Sequence, residues 1–207
     1  MRSRGGAWSA LLLGAIFTMA TPAALRAQRI GICFDRQGTS CSASIASFGT
    51  LDLFIVAFPE PGQQLVGATF KLRLPTDIVV SDDPAPSFPR DIGGTMTGTL
   101  GTGLDIQFFP CRDITSPVVL LEMQIFERNT QARNNLVLEL VGSAQDSVTA
   151  VNKPTLKLCD PENPEGDAGR IEVAIAQGHL NCTGTCPCTV AVASRTWGAL
   201  KSLYREP

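Results

Sequence analysis

Thirteen residues near one end of the chain, GHLNCTGTCPCTV from Gly178 to Val190, hold its only histidine and three of its seven cysteines. His179, Cys182, Cys186 and Cys188 offer imidazole and thiolate, the ligand types of a tetrahedral zinc or copper centre. Their spacing, H-x2-C-x3-C-x-C, matches no familiar zinc signature, and Pro187 stands between the last two sulfurs. The competing chemistry is oxidation. Cys182 and Cys186 would close a tight loop around Gly184, and Cys188, opening the CTVAV strand, would bridge to a distant element such as Cys159. Cys41 and Cys111, each in a loop beside a strand, are expected to form another bridge, which leaves Cys33 as the odd thiol on an inner strand. His179 is then expected to be an ordinary turn residue.

Redox compartment decides between the two chemistries, and the other end of the chain speaks to it. Arg2 and Arg4 form a short basic region ahead of an apolar run from Ala10 to Ala20, and Pro22 and the small residue Ala27 follow. That is the layout of a signal peptide over residues 1–27, cut just before Gln28. The run is shorter than the ~20 apolar residues of a spanning helix. No later stretch is long and uncharged enough to span a bilayer, so no membrane span is expected in the mature chain. The expected location is periplasmic, cell-surface or extracellular, where thiols pair as disulfides. Removing residues 1–27 takes three of the 17 basic residues and none of the 19 acidic ones. The acidic remainder, without any Lys/Arg cluster, argues against nucleic acid as a partner.

A second cluster with chemical potential is the loop CDPENPEGDAG. Asp160, Glu162, Glu165 and Asp167 crowd hard oxygen ligands into eight residues, a composition suited to calcium. The order does not follow the EF-hand loop, and Pro161 and Pro164 restrict how the chain could wrap an ion. A solvated acidic turn is the simpler form, so no cofactor is expected, with calcium as the alternative. Catalysis has little material. One histidine among cysteines makes a poor Ser-His-Asp or Cys-His arrangement, and no G-x-S-x-G, H-E-x-x-H or Walker loop occurs. Paired strand-borne carboxylates could still serve glycoside hydrolysis, although the single Tyr and two Trp of the chain give few sugar platforms.

The elements that must position these groups are strands. In GATFKLRLP, Ala68, Phe70, Leu72 and Leu74 alternate with Thr69, Lys71 and Arg73, the pattern of a strand with one wet face. GLDIQFF opposes Leu104, Ile106 and Phe108 to Asp105 and Gln107. VVLLEMQIFE places Val119, Leu121, Met123 and Ile125 inward and Glu122 and Gln124 outward. NLVLELVG and RIEVAIA repeat the theme through Leu136, Leu138 and Leu140 and through Ile171, Val173 and Ile175. LDLFIVAF is almost continuously apolar and is expected to be a central strand covered on both faces. Thr- and Gly-rich GTMTGTLGTG resembles low complexity, and a twisted, partly exposed hairpin explains it as well. Turn formers separate the runs at roughly ten-residue spacing, the signature of an all-β sandwich or barrel. The end differs: Trp197, Leu200, Leu203 and Tyr204 recur at helical spacing behind Ser194 or Thr196 as cap, so a short amphipathic helix is expected. The domain boundaries are therefore 1–27, signal peptide; 28–193, sandwich; 194–207, helical tail.

RIGICFDRQGTSCS, followed by a long strand and LVGATFKLRLPTDIVVS, resembles the opening of bacterial cohesin-like domains. The residues that carry it are Gly67, Phe70 and Leu72, in the pattern G-x-x-F-x-L before a proline-bearing turn. It covers residues 29 to 145, and it implies a cohesin-like jelly roll, an Ig-like antiparallel sandwich of two sheets. CTVAVASRTWGALKSLYR resembles the C-terminus of a group of exported bacterial proteins that share a Cys-Thr-Val strand and a Trp-Gly…Lys…Leu-Tyr-Arg tail. Cohesins bind dockerin modules, but this chain carries no dockerin-like repeat of its own. A fold transfers more readily than a function.

The function expected from these observations is an exported, non-enzymatic interaction module with a protein or polysaccharide partner at the cell surface. The Thr/Gly-rich strands and the acidic loop are its expected contacts. The alternatives are a carbohydrate-binding domain assisted by calcium and a secreted hydrolase whose acids the sequence does not single out.

Overall fold

A computed structural model describes residues 29–60, 63–88, 93–113, 117–131, 133–143, 153–159, 167–173, 175–184 and 186, with the side chains of 109–113 and 167–168 outside that set. The expected signal peptide and C-terminal helix lie outside the described residues. Every regular element among those described is a strand, and no helix among them is long and apolar enough to cross a membrane.

Two sheets form the body. The smaller has the order β1-β3-β8-β5, from Arg29–Cys33, Thr50–Phe58, Val118–Glu127 and Ile78–Val80, all antiparallel. The larger is organised around β4 (Gln64–Arg73). Its first residues lie between β10 (Thr155–Cys159) and β7 (Gly103–Asp113), and Lys71–Arg73 pair with β9 (Leu136–Val141). β11 (Asp167–Glu172) flanks β10, and β6 (Gly94–Thr99) flanks β7. β12 (Ala176–Leu180) flanks β9 and carries the short β2 (Ser42–Ala43) in the one parallel pairing among the described strands.

Alternation explains how the sheets close. Ile30, Ile32, Leu53 and Ile55 from the small sheet meet Ala68, Phe70, Leu104, Ile106, Phe108, Leu138 and Leu140 from the large one in a single buried cluster. Fully burying an aliphatic or aromatic side chain contributes roughly 1.5–3 kcal/mol, so this cluster dominates the stability of the fold. β3 is interior and buried from Leu53 to Ala57, the expected double-covered strand.

Four expectations need correction. Val119 does not join the core. A β-bulge between Ile55 and Val56 opposes Leu121 to one and Val119 to the other, so Leu120 enters the core and Val119 turns to the outer face. RIEVAIA is not one strand. The chain leaves β10 after Glu172 and re-pairs with β9 from Ala176, which leaves Ile175 exposed. β4 has no wet face over its central residues, since Thr69 is as buried as Phe70. Finally, β1 is an edge strand in its sheet, so Cys33 is not on an inner strand.

Candidate functional site

The outer face of the small sheet carries a second apolar cluster, made of Cys33, Phe54 and Val56 with Phe58 and Val119 against it. A strand facing water would not hold such a set, and the segment after β1 covers it. Asp35 accepts hydrogen bonds from the Thr39 amide at 3.0 Å, the Thr39 hydroxyl at 3.1 Å and the Ser40 amide. This closes a loop whose Gly38, at φ 70°, lies flat on Phe58 and Val56; a Cβ there would fall 2.6 Å from the Phe58 ring. Burial pulls the Asp35 carboxyl upward, but the hydrogen bonds from Thr39, Ser40 and Gln37 outweigh it, so its pKa lies below the usual carboxylate value. Burial, with the Asp35 charge adding to it and Arg29 opposing, pushes the Cys33 thiol up to about 12. Cys33 is a free, buried thiol.

The same loop projects Arg36 across the sheet, over the Phe54 ring at 5.9 Å and onto the Glu122 carboxylate. Next to it opens a cleft of ≈ 180 Å³ lined by Arg36, Asp52, Phe54, Pro84, Ser87, Glu122 and their neighbours. Its far wall is the segment after β5. The Ser81 amide donates to the Gln124 carbonyl at 2.8 Å, and Ser87 and Glu122 exchange two backbone hydrogen bonds of 3.0 Å, so the chain between them bows out beside β8. On the floor, Gln124 Nε2 donates to Asp52 Oδ1 at 3.4 Å.

On the large sheet the expected hairpin forms. β6 pairs with β7 from Gly94↔Phe108 to Thr99↔Gly103. Its turn is closed by the Thr99 hydroxyl, which accepts from the Thr102 amide at 3.1 Å. All six β6 residues are exposed.

The sulfur-rich corner is an oxidised loop. Cys182 and Cys186 form a disulfide, and the loop is tied down by Thr183, whose amide donates to Asn135 Oδ1 at 3.0 Å. Cys41 and Cys159 are also disulfide-bonded. The expected partners, the Cys111 side chain and Cys188, lie outside the described residues. His179 is not a turn residue. It sits in β12 opposite Ser42 and Val137, is 8% exposed, and its Nε2 is buried without a hydrogen-bond partner among the described residues. Among the described residues no three His, Cys, Asp or Glu side chains gather as a metal site. Of the expected calcium ligands, Asp160, Glu162 and Glu165 lie outside the described residues; the Asp167 backbone opens β11, with its side chain outside the set.

Periodicity along the chain does not reveal the cleft. Glu122 and Gln124 were legible as outward residues of their strand, but Arg36, Asp52 and Ser87 reach them only through long-range folding, which periodicity does not encode.

No protein-family model and no curated protein matches the sequence. Among solved structures, the fold is similar to a type III cohesin module from the cellulosomal ScaE cell-surface anchoring scaffoldin of Ruminococcus flavefaciens, at 11% identity, with 83% of this chain and 94% of that one covered and a TM-score of 0.48. It is similar to a non-cellulosomal cohesin from the hyperthermophilic archaeon Archaeoglobus fulgidus, at 13% identity, 76% and 92% coverage and a TM-score of 0.44. A type II cohesin domain from the cellulosome of Acetivibrio cellulolyticus aligns at 9% identity, 75% and 95% coverage and a TM-score of 0.43. The strand order by itself defines the class, an all-β, two-sheet, predominantly antiparallel sandwich. Its likeness to cohesin-type domains is distant and one of strand arrangement.

Proposed function

We propose that the chain is an exported, non-catalytic binding module of the cell envelope or extracellular space that meets a protein partner through the β6–β7 hairpin. The observation that supports this most is the state of β6. All six residues from Gly94 to Thr99 are exposed, and among the described strands β6 pairs with β7 alone. Edge strands are ordinarily guarded by charges, proline or bulges; GTMTGT has no charge and no proline. The backbone groups that β7 does not pair suit an extended segment of a partner, which would add as a further strand. The burial of the only histidine in β12 supports the non-catalytic part.

The test compares capture of an envelope partner by the purified protein and by a Thr95→Lys/Thr97→Lys variant. Two ammonium groups beside the open edge should weaken capture more than tenfold and leave the melting midpoint unchanged. Equal capture by the variant would remove the hairpin from the contact. Loss on trimming residues 194–207 alone would move the docking element to the tail. Export is checked by the intact mass of the secreted protein, which should begin at Gln28.

A further inference from the structure

We propose that the cleft on the outer face of the small sheet is a binding site for one neutral sugar ring, separate from the hairpin on the other sheet. Two donor–acceptor couples stand side by side on its floor: the Arg36 guanidinium with the Glu122 carboxylate, and the Gln124 carboxamide with the Asp52 carboxylate. Asp52 is opposite Gln124 and Phe54 is opposite Glu122 in the β3–β8 register. The couples therefore lie two residues apart on one face, roughly 7 Å along the strands. A sugar hydroxyl both donates and accepts, so each couple can take one: the carboxylate accepts a hydrogen bond from its O–H, and the guanidinium or amide donates to its oxygen. Phe54, Pro84 and Ala85 also line the cleft and supply an apolar surface for ring C–H groups.

The walls are built, not accidental. Arg36 is carried by the loop that Asp35 closes, and Pro84 and Ala85 belong to the bow fastened to β8 at Ser81 and Ser87. Charge and size narrow the ligand. Two carboxylates face a single guanidinium that is already paired, which disfavours phosphates and acidic sugars. At ≈ 180 Å³ the cleft falls below the ~300–1,000 Å³ of drug-sized sites, so it fits one ring, the exposed end of a glycan, and not a chain laid along a groove.

The purified protein would be titrated separately with glucose, galactose, mannose and N-acetylglucosamine, read by saturation-transfer NMR and amide shifts. At least one sugar should bind with a Kd on the order of 1 mM and shift amides at 36, 52–54, 85, 87 and 122–124. Asp52→Asn and Glu122→Gln keep the shape but lose the charge-assisted acceptors, and each should weaken that sugar about tenfold with an unchanged melting midpoint. The Thr95→Lys/Thr97→Lys variant, which leaves the cleft intact, should bind sugar as before, so failure at the hairpin and failure at the cleft are told apart. The inference is overturned if none of the four sugars binds at about twentyfold above that Kd, if the shifts fall elsewhere, or if both cleft variants bind unchanged.

Discussion

Lys157 on β10 extends past β4 to the Asp105 carboxylate on β7, with Nζ and Oδ1 2.5 Å apart. Lys157 is 3% exposed, and Thr155 and Thr69 on the same three strands are equally buried. An ammonium taken out of water is held there only if its counter-ion is present. Asp105→Asn should therefore destabilise the fold by about 3 kcal/mol, the lower end of the range for breaking a buried pair, because Asp105 keeps some solvent contact. Adding Lys157→Met removes the stranded charge and should restore most of the loss. Urea denaturation of the two variants checks this; a cost for Asp105→Asn below about 0.5 kcal/mol would make the pair an ordinary surface bridge.

Gly67 is opposed by Lys157 on one side and Gln107 on the other, where β7 is bulged against β4. A Cβ at this position would stand 2.1 Å from the Ile106 carbonyl oxygen, a backbone atom that cannot swing aside. Gly67→Ala should thus force the β4–β7 ladder apart and cost about 1–3 kcal/mol. Protection of the amides paired across that ladder from hydrogen exchange should fall with it. An alanine variant with wild-type stability would show that the bulge relaxes freely.

Gly67 also shows how much the sequence could reveal. Together with Phe70 and Leu72 it was legible as a motif, and the two-residue period fixed which of Phe70, Leu104, Ile106, Leu138 and Leu140 enter the core. What periodicity cannot show is where a bulge resets it, and so Val119 was misplaced by one residue. Nor can it show that a polar side chain is buried by a partner two strands away, as Lys157 is by Asp105. The Cys182–Cys186 loop was legible because four residues of separation leave little alternative. His179, expected in a turn beside the Cys182–Cys186 loop, lies instead on β12 directly after Gly178. That glycine is demanded by packing, since a Cβ would fall 2.6 Å from Ile32 Cγ2.

Asp35 governs the loop that carries Arg36. Burial opposes its ionised form, but hydrogen bonds from Thr39, Ser40 and Gln37 prevail and its pKa lies below 3.8. A carboxyl depressed in the folded state contributes stability above its unfolded pKa and loses it as pH falls through the folded value. Asp35→Ala should cost about 1–2 kcal/mol at neutral pH, as losing a local cap of this kind does. The difference from wild type should shrink as the pH drops below 3.8. The same variant should release Arg36 from Glu122, visible as lost chemical-shift dispersion of the Arg36 side chain. A cost that stays constant down to acid pH would mean that the loop is held by packing on Phe58 and not by the carboxylate.

Cys33 lies under that loop, paired in register with Phe54 and packed on Val56. Only the thiolate is a nucleophile, and burial, helped by the Asp35 charge, raises this thiol from 9.0 to about 12. In the native protein it should resist a thiol reagent at pH 8 and react at once on unfolding. The pH dependence of stability follows with a definite sign. Between pH 9 and about 12 the unfolded chain has lost the thiol proton while the folded chain retains it, so stability is complete below 9 and declines across that window. Cys33→Ala should flatten the decline, and Asp35→Ala, which opens the cover and removes the neighbouring charge, should bring reactivity into the native state. A native thiol that reacts as fast as a small-molecule thiol at pH 8 would show that the loop does not close over β3.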